Sequence, residues 1–280
     1  MSTVSSTCGG LEVIHETVER GAFKSALFDF DGTISLIRQG WQQIMVPYFT
    51  EVLLDTPHAE EKVLIAQCAQ EFIDLLTGKQ TIYQCIRLAE EVQKRGGLPK
   101  DPLDYKEEYH RRLMERIHHR IVGLQEGKLL PEELVVPGSI EFLEDLRNRG
   151  LILYLASGTD EQYVLEEAEL LGVSKYFNGG IHGARDEYQE FSKAKVIQQI
   201  IVSHDLAGHE LVGFGDGYVE IENVKSVQGF AVGVASDEEK RTGVDEWKRN
   251  RLIRAGADII IPNFQKRPEI LQYLFLEGVK

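Results

Sequence analysis

Cysteine is scarce in this chain. Cys8, Cys68 and Cys85 are the three among 280 residues, and no two form a C-x-x-C pair. An odd number without paired spacing argues against a disulfide framework or a thiolate zinc site. It points to reduced thiols in a cytoplasmic protein. The eight histidines include no H-E-x-x-H arrangement. His118 and His119 are adjacent and would diverge by about 100° on a helix, so both read as ordinary residues. No apolar run reaches the ~18 residues of a membrane helix. Met1–Gly10 lacks the basic-then-apolar order of a secretory leader. The expectation is therefore no leader and no membrane partner. Positive charge is also short: the formal net charge is −14. Such a field repels nucleic acid phosphates, so no nucleic-acid partner is expected. It also repels a small phosphorylated molecule. Any phosphate site must then supply local positive charge from a lysine, a metal or helix N-termini.

The chain has material for a substantial core, with 42% hydrophobic and 27% charged residues. That length suits one large domain or a core with a smaller companion. After a polar lead-in, a short helix is expected near Leu11–Glu19. Phe23–Phe28 is a strand-like apolar run. From Leu36 to about Gly127 apolar residues recur at helical spacing through Trp41–Leu54, Ala59–Leu76, Thr81–Gln93 and Leu103–Leu124. Thr56-Pro57, Thr77-Gly78 and Gly96-Gly97 separate these runs. From Pro137 the rhythm alternates. Helices are expected at Gly138–Arg149, Asp160–Leu171, Lys193–Ser203, Glu220–Ser226 and Glu238–Ala255. Strands are expected at Leu151–Ala156, Gly180–His182, Glu210–Phe214, Phe230–Ala235 and Asp258–Ile261. This alternation implies an α/β fold, a parallel sheet with helices on both faces. The helical block interrupts it after its first strand. The expected division is a core of 1–35 with 137–280, and a helical lobe of 36–136.

In an open parallel sheet, ligands bind beyond the C-terminal strand ends. Four polar clusters fall there. The first is Asp29-Phe30-Asp31-Gly32-Thr33. A carboxylate can attack phosphorus, dividing one hard displacement into two easier ones, and a second can move the protons. Asp-x-Asp spacing puts both side chains on one side of an extended chain, and Gly32 lets the backbone turn near a phosphate. A calcium loop starting at Asp29 would need glutamate at its twelfth position, which is Gly40. The second cluster is Ser157-Gly158-Thr159. A hydroxyl and backbone N–H groups at a helix start suit phosphate oxygens, and Thr159 could equally cap the next helix. A nucleophile elbow needs glycine where Leu155 stands. The third is Lys193, able to neutralise Asp29 and a transferring phosphoryl group, with Lys195 as a competitor. The fourth is Asp216 with Glu220, hard oxygen donors suited to Mg²⁺. Gly213-Phe214-Gly215 opens like a dinucleotide loop but fails at Tyr218.

Together these clusters resemble the haloacid dehalogenase-like (HAD) superfamily of phosphohydrolases. Its D-x-D-G-T motif matches Asp29 to Thr33, its strand-end Ser or Thr matches Ser157, its lysine matches Lys193, and its G-D-G-x-x-D matches Gly215 to Glu220. The last position holds Glu instead of the commoner Asp, which leaves Glu222 as an alternative. The 23-residue step from Lys193 to Asp216 resembles phosphoserine phosphatase-like members. The resemblance covers about residues 23–262. It implies a Rossmann-like core with strand order 5-4-1-2-3 and a helical cap inserted after the first motif. It implies Asp29 as nucleophile, Asp31 as general acid and base, and Lys193 as their electrostatic partner. Gly32, Thr33, Ser157, Gly158 and Lys193 would bind the substrate phosphate. Mg²⁺ would be held by Asp29, the carbonyl of Asp31, Asp216 and Glu220. Asp31 argues for phosphoryl transfer over dehalogenation, since the family's dehalogenases lack that acid. The expected reaction is hydrolysis of a small phosphorylated metabolite, with sugar phosphates favoured. Phosphoserine and phosphoglycolate stay open. A phosphomutase of the β-phosphoglucomutase type is the alternative, and a non-catalytic module on the same fold a third. Arg38, Trp41, Gln42 and Lys79 are candidates for substrate specificity.

Overall fold

The computed structural model describes residues 6–8, 10–16, 18–185, 192–203 and 205–277. Residues 1–5, on which part of the leader expectation falls, and the side chain of Cys8 lie outside them. Short apolar runs bounded by turns make an eight-stranded sheet. Its strands are β1 (Ser6–Cys8), β2 (Leu11–Val13), β3 (Ser25–Phe28), β4 (Ile152–Asp160), β5 (Gly180–Ala184), β6 (Leu211–Gly215), β7 (Phe230–Val234) and β8 (Ile259–Ile261). The order is β1-β2-β8-β7-β6-β3-β4-β5. From β8 to β5 every pairing is parallel, whereas β1 and β2 form an antiparallel extension on β8. Numbered from β3, the expected order 5-4-1-2-3 is present, with β8 beyond it as a sixth parallel strand.

The chain divides into two compact units, residues 1–39 with 123–280 and residues 40–122. The second is narrower than the expected 36–136. The difference has a local cause. Leu36 N–H donates to Leu134 O at 2.8 Å and Val136 N–H to Ile34 O at 2.9 Å. The outgoing and returning segments thus pair with each other inside the sheet-bearing unit. Arg241 clamps the returning segment, donating to the carbonyls of Glu132, Glu133 and Val135 at 2.6–2.9 Å.

The helical unit holds α1 (Gln42–Leu54), α2 (Lys62–Leu76), α3 (Thr81–Lys94) and most of α4 (Pro102–Gln125). Phe49, Ile65, Ala69, Phe72, Leu88 and Ile117 form buried stripes on these helices. The sheet unit carries α5 (Ser139–Asn148), α6 (Glu161–Leu170), α7 (Lys193–Ser203), α8 (Tyr218–Ser226), α9 (Glu246–Ala255) and α10 (Arg267–Phe275). Beneath the C-terminal strand ends, Phe28 stacks on Phe214 at 4.5 Å, and Phe142 stacks on Phe264 at 4.9 Å. Each ring buried there contributes about 1.5–3 kcal/mol, so the strand ends rest on a stiff floor.

Two expectations are corrected. Residues 11–13 are strand β2, because Glu12 and Val13 find ladder partners in Ile260 and Ile259. Local helical spacing cannot outweigh those bonds. The helix expected from Glu238 starts at Glu246, where the Asp245 side chain accepts the Lys248 N–H at 3.0 Å. Residues 236–245 form a loop instead, pinned by the Ser236–Val244 bridge. Among the described residues no helix is long and apolar enough to cross a membrane.

Candidate active site

Strand register decides which residues meet. Phe28 lies opposite Leu155 on one side and Phe214 on the other. The chains leaving β3, β4 and β6 therefore emerge side by side, and Asp29 N–H still donates to Phe214 O at 2.9 Å. Asp29 and Asp216 follow β3 and β6 directly, and Ser157 lies two residues past Leu155 on β4.

Asp29 is 6% exposed. Its Oδ1 accepts from Lys193 Nζ at 2.7 Å, and the same ammonium contacts Glu220 Oε1. Lys193, at the start of α7, is buried, while Lys195 points to solvent. This separates the two candidate lysines. Burial pushes the Asp29 carboxyl well above the usual range against the pull of Lys193, and the charges of Glu220 and Asp216 add to the rise. Burial opposes the Lys193 charge, but the Asp29 and Glu220 carboxylates outweigh it and keep the ammonium protonated. Glu220 thus serves Lys193 through one oxygen. Its Oε2 is buried without a hydrogen bond. Glu222 lies exposed on α8, away from this cluster.

Asp31 is held by the β4 end. Its Oδ2 accepts from Thr159 Oγ1 at 2.9 Å and Ser157 Oγ at 3.3 Å. The Thr159 N–H donates back to Ser157 Oγ at 3.0 Å. Asp31 Oδ1 is buried and makes no hydrogen bond, with Arg38 Nε 4.0 Å away. Gly158 lies half-buried between the two hydroxyl residues on the extended end of β4. Thr159 does not cap α6 through its side chain. That position belongs to Asp160, which makes no side-chain cap bond either.

Gly32 has φ +76°, and a Cβ there would lie 2.3 Å from Asp216 Oδ2. Only glycine admits both the left-handed backbone and that approach. Its N–H donates to Ser35 O at 2.9 Å, so the residue makes room for Asp216 while its amide stays engaged in the turn. Thr33 is fully buried, its N–H directed to Phe30 O at 3.3 Å and its hydroxyl without a partner. It supports the turn from beneath.

Arg38, one of the specificity candidates, sits in a buried ion pair. Its guanidinium grips Glu167 with Nε at 2.9 Å and Nη2 at 2.7 Å, and both residues are buried. This buried pair lies beside Asp31, with Arg38 Nε 4.0 Å from Asp31 Oδ1. Trp41, Gln42 and Lys79 belong to the helical unit. Trp41 is half-buried just before α1, Gln42 donates to Asp74 at 3.3 Å, and Lys79 is exposed between α2 and α3.

Sequence reasoning missed a second lysine network. Lys248 on α9 donates to Glu238 Oε1 at 2.7 Å and Ser236 Oγ at 3.3 Å, and pairs with Asp216 Oδ2 at 2.8 Å. Ser236 Oγ in turn donates to Gly32 O at 2.7 Å. In sequence, Glu238 and Lys248 both fall inside the single helix expected at Glu238–Ala255. The 236–245 loop, which folds Glu238 and Lys248 together, leaves no periodic trace.

A model of the haloacid dehalogenase-like hydrolases matches residues 23–227. No curated protein matches the sequence. Solved structures resemble the fold at low identity. A predicted phosphoglycolate phosphatase from Haemophilus somnus 129PT shares 17% identity at TM-score 0.59, over 90% of this chain and 99% of that one. A β-phosphoglucomutase from Clostridium difficile shares 15% at TM-score 0.61, over 92% and 99%. A HAD family hydrolase from Deinococcus radiodurans R1, solved with bound phosphate and sodium, shares 16% at TM-score 0.53, over 91% and 98%.

Proposed function

The chain belongs to the haloacid dehalogenase-like hydrolases, and from that membership we propose that it is a phosphatase acting on a small phosphorylated metabolite through an aspartyl-phosphate on Asp29. The observation that carries this reading is the Lys193 ammonium bound to Asp29 at 2.7 Å beside an Asp31 held by two hydroxyls. In the first step an Asp29 oxygen bonds to phosphorus as the ester P–O bond breaks. Asp31 hands its proton to the departing oxygen. In the second, water attacks phosphorus, Asp31 takes its proton, and the Asp29 acyl-phosphate P–O bond breaks to free inorganic phosphate. Asp31 Oδ2 is occupied by Ser157 and Thr159, so Oδ1 is the oxygen left for proton transfer. Lys193 offsets negative charge as the phosphoryl group passes. Ser157 and Gly158 are the residues we assign to the phosphate oxygens. Gly32 and Thr33 shape the turn.

Mg²⁺ fits the donor set. Glu220 Oε2 is a buried carboxylate oxygen lacking a partner beside Asp29, and such a group calls for a ligand or ion. Among the described residues no three side chains are already gathered as a metal cluster. Mg²⁺ needs no such cage, since it keeps several waters and binds through one or two carboxylates plus substrate phosphate. We assign Asp29, the backbone carbonyl of Asp31, Asp216 and Glu220 as its holders, Glu220 through the oxygen that Lys193 leaves free. When bound, the ion would offset repulsion between Asp29 and a phosphate dianion and stabilise transferring charge.

Residues 40–122 we read as the cap, with Trp41, Gln42 and Lys79 as its candidate substrate contacts. Free thiols at Cys68 and Cys85 suit a cytoplasmic setting. The test is a panel of phosphorylated metabolites, headed by sugar phosphates and phosphoglycolate, assayed for free phosphate with Mg²⁺ and with chelator. Phosphate release that needs Mg²⁺ and Asp29 supports the phosphatase. Isomerised sugar phosphate without net release supports a mutase. Release undiminished in Asp29→Asn overturns both.

A further inference from the structure

Lys248 sits in the first turn of α9, and Asp245 fixes that turn by accepting its N–H at 3.0 Å. The ammonium is almost wholly buried and has three polar neighbours, matching its three donors: Asp216 Oδ2 at 2.8 Å, Glu238 Oε1 at 2.7 Å and Ser236 Oγ at 3.3 Å. A lysine and a glutamate of opposite charge leave no net charge beside Asp216. The pair therefore does little to attract or repel a cation from a distance. What it changes is freedom. Asp216 has one oxygen tied to Lys248 and lying where a Gly32 side chain would be, so that even a methyl group there would collide. Its carboxylate cannot turn without losing a buried, charge-assisted bond. The anchor of Lys248 is itself anchored, since Ser236 donates to Gly32 O at 2.7 Å. This joins α9, the loop after β7, the turn after β3 and the end of β6.

We propose that Lys248 is a positioning residue whose ammonium, balanced by Glu238, holds the Asp216 carboxylate in the orientation that receives the divalent cation. This rests on the reading of Asp216 as a metal-holding residue. Groups that orient metal ligands from behind typically alter metal affinity about 10–100-fold when removed. Lys248 sits behind Asp216 in that sense, holding Oδ2, the oxygen nearest Gly32.

Calorimetric titration of the protein with Mg²⁺ alone, without substrate, tests the inference. The charge-neutral pair Lys248→Met with Glu238→Gln leaves no unpaired buried charge. It is expected to weaken Mg²⁺ binding about 10–100-fold, while the substrate KM at saturating Mg²⁺ stays at the wild-type value. Lys248→Arg, which keeps the charge and the donors, is expected to recover most of the affinity. A merely structural role would lower thermal stability and leave Mg²⁺ affinity alone. Wild-type affinity in the folded double variant overturns the proposal. Tighter binding does so too, because the ammonium would then be competing for Asp216. Lys248→Leu with Glu238→Met carries the same expectation should the first pair fail to fold. Wild type and Asp216→Asn are titrated in parallel. If wild type does not bind Mg²⁺ even when the titration is repeated with inorganic phosphate present, or Asp216→Asn binds it equally well, the metal reading itself is at fault, and the role given to Lys248 falls with it.

Discussion

Replacing Gly32 with alanine would put a carbon where Asp216 already lies. The added Cβ would be 2.3 Å from Asp216 Oδ2, 2.8 Å from its Cγ and 3.0 Å from Glu238 Oε1. Comfortable contacts between carbon atoms fall at about 3.5–4.0 Å. Backbone strain adds to this, because φ is +76° and a side chain in the left-handed region costs roughly 1–2 kcal/mol. Asp216 could relieve the clash by swinging its carboxylate away. Doing so would break the 2.8 Å pairing with Lys248, and a hydrogen bond to a charged group contributes about 1.5–3 kcal/mol. If both are conceded, the expected loss of stability is about 3–5 kcal/mol. The functional loss should be separable. A displaced Asp216 no longer offers its carboxylate in place, so Mg²⁺ affinity should fall about 10–100-fold. Urea unfolding followed by circular dichroism reads the first effect, and Mg²⁺ calorimetry on the folded protein the second. A Gly32→Ala protein with wild-type stability and wild-type Mg²⁺ affinity would refute the reasoning that this glycine makes room for Asp216.

Other expectations follow from the buried charges. Glu167→Ala removes the close partner of the Arg38 guanidinium, which is 7% exposed, and should cost up to about 3–5 kcal/mol in urea unfolding; Arg38→Met with Glu167→Leu should recover most of it. Asp29→Asn should raise the melting temperature at neutral pH in chelator. Burial lifts the Asp29 pKa, so folding favours its protonated form, and wild-type stability is lost as pH rises through that lifted value. The gap between variant and wild type should therefore shrink as pH falls; a gap that grows on acidification would contradict this. Asp31→Asn should lower turnover about 10²–10⁴-fold on alkyl phosphates and less on aryl phosphates, whose leaving groups need little protonation. Equal losses on both would count against a proton-handling role.

The parallel sheet was legible because its strands are short apolar runs that break off into acids or small polar residues. Phe28-Asp29 announces a strand end without help from distant residues, whereas β4 runs on past Ala156-Ser157 to Asp160. The order of those strands was not in the periodicity; it came with the family resemblance. Elsewhere, non-local partners decided the outcome. Leu11 to Val13 became strand β2 because β8 pairs with it from the far end of the chain. The burial of Arg38 against Glu167, 129 residues away, has no local sign in the sequence. Lys248 and Glu238 sit among charged neighbours, and a buried lysine looks like a solvated one until the fold brings its carboxylates. Gly32 was read as a turn near phosphate. The turn is there, but the close approach of Asp216 depends on β6 and could not be read locally.

The central claim, that Asp29 is the nucleophile, is tested most directly by trapping the phosphoenzyme. Asp31→Asn keeps Asp29 but removes the base that activates water, so the acyl-phosphate should persist. The variant is mixed with Mg²⁺ and a ³²P-labelled aryl phosphate, quenched in acid within its first turnover, and digested for peptide mapping. The account predicts label on Asp29, absent when Asp29 is also changed to Asn. Label on any other residue would contradict it.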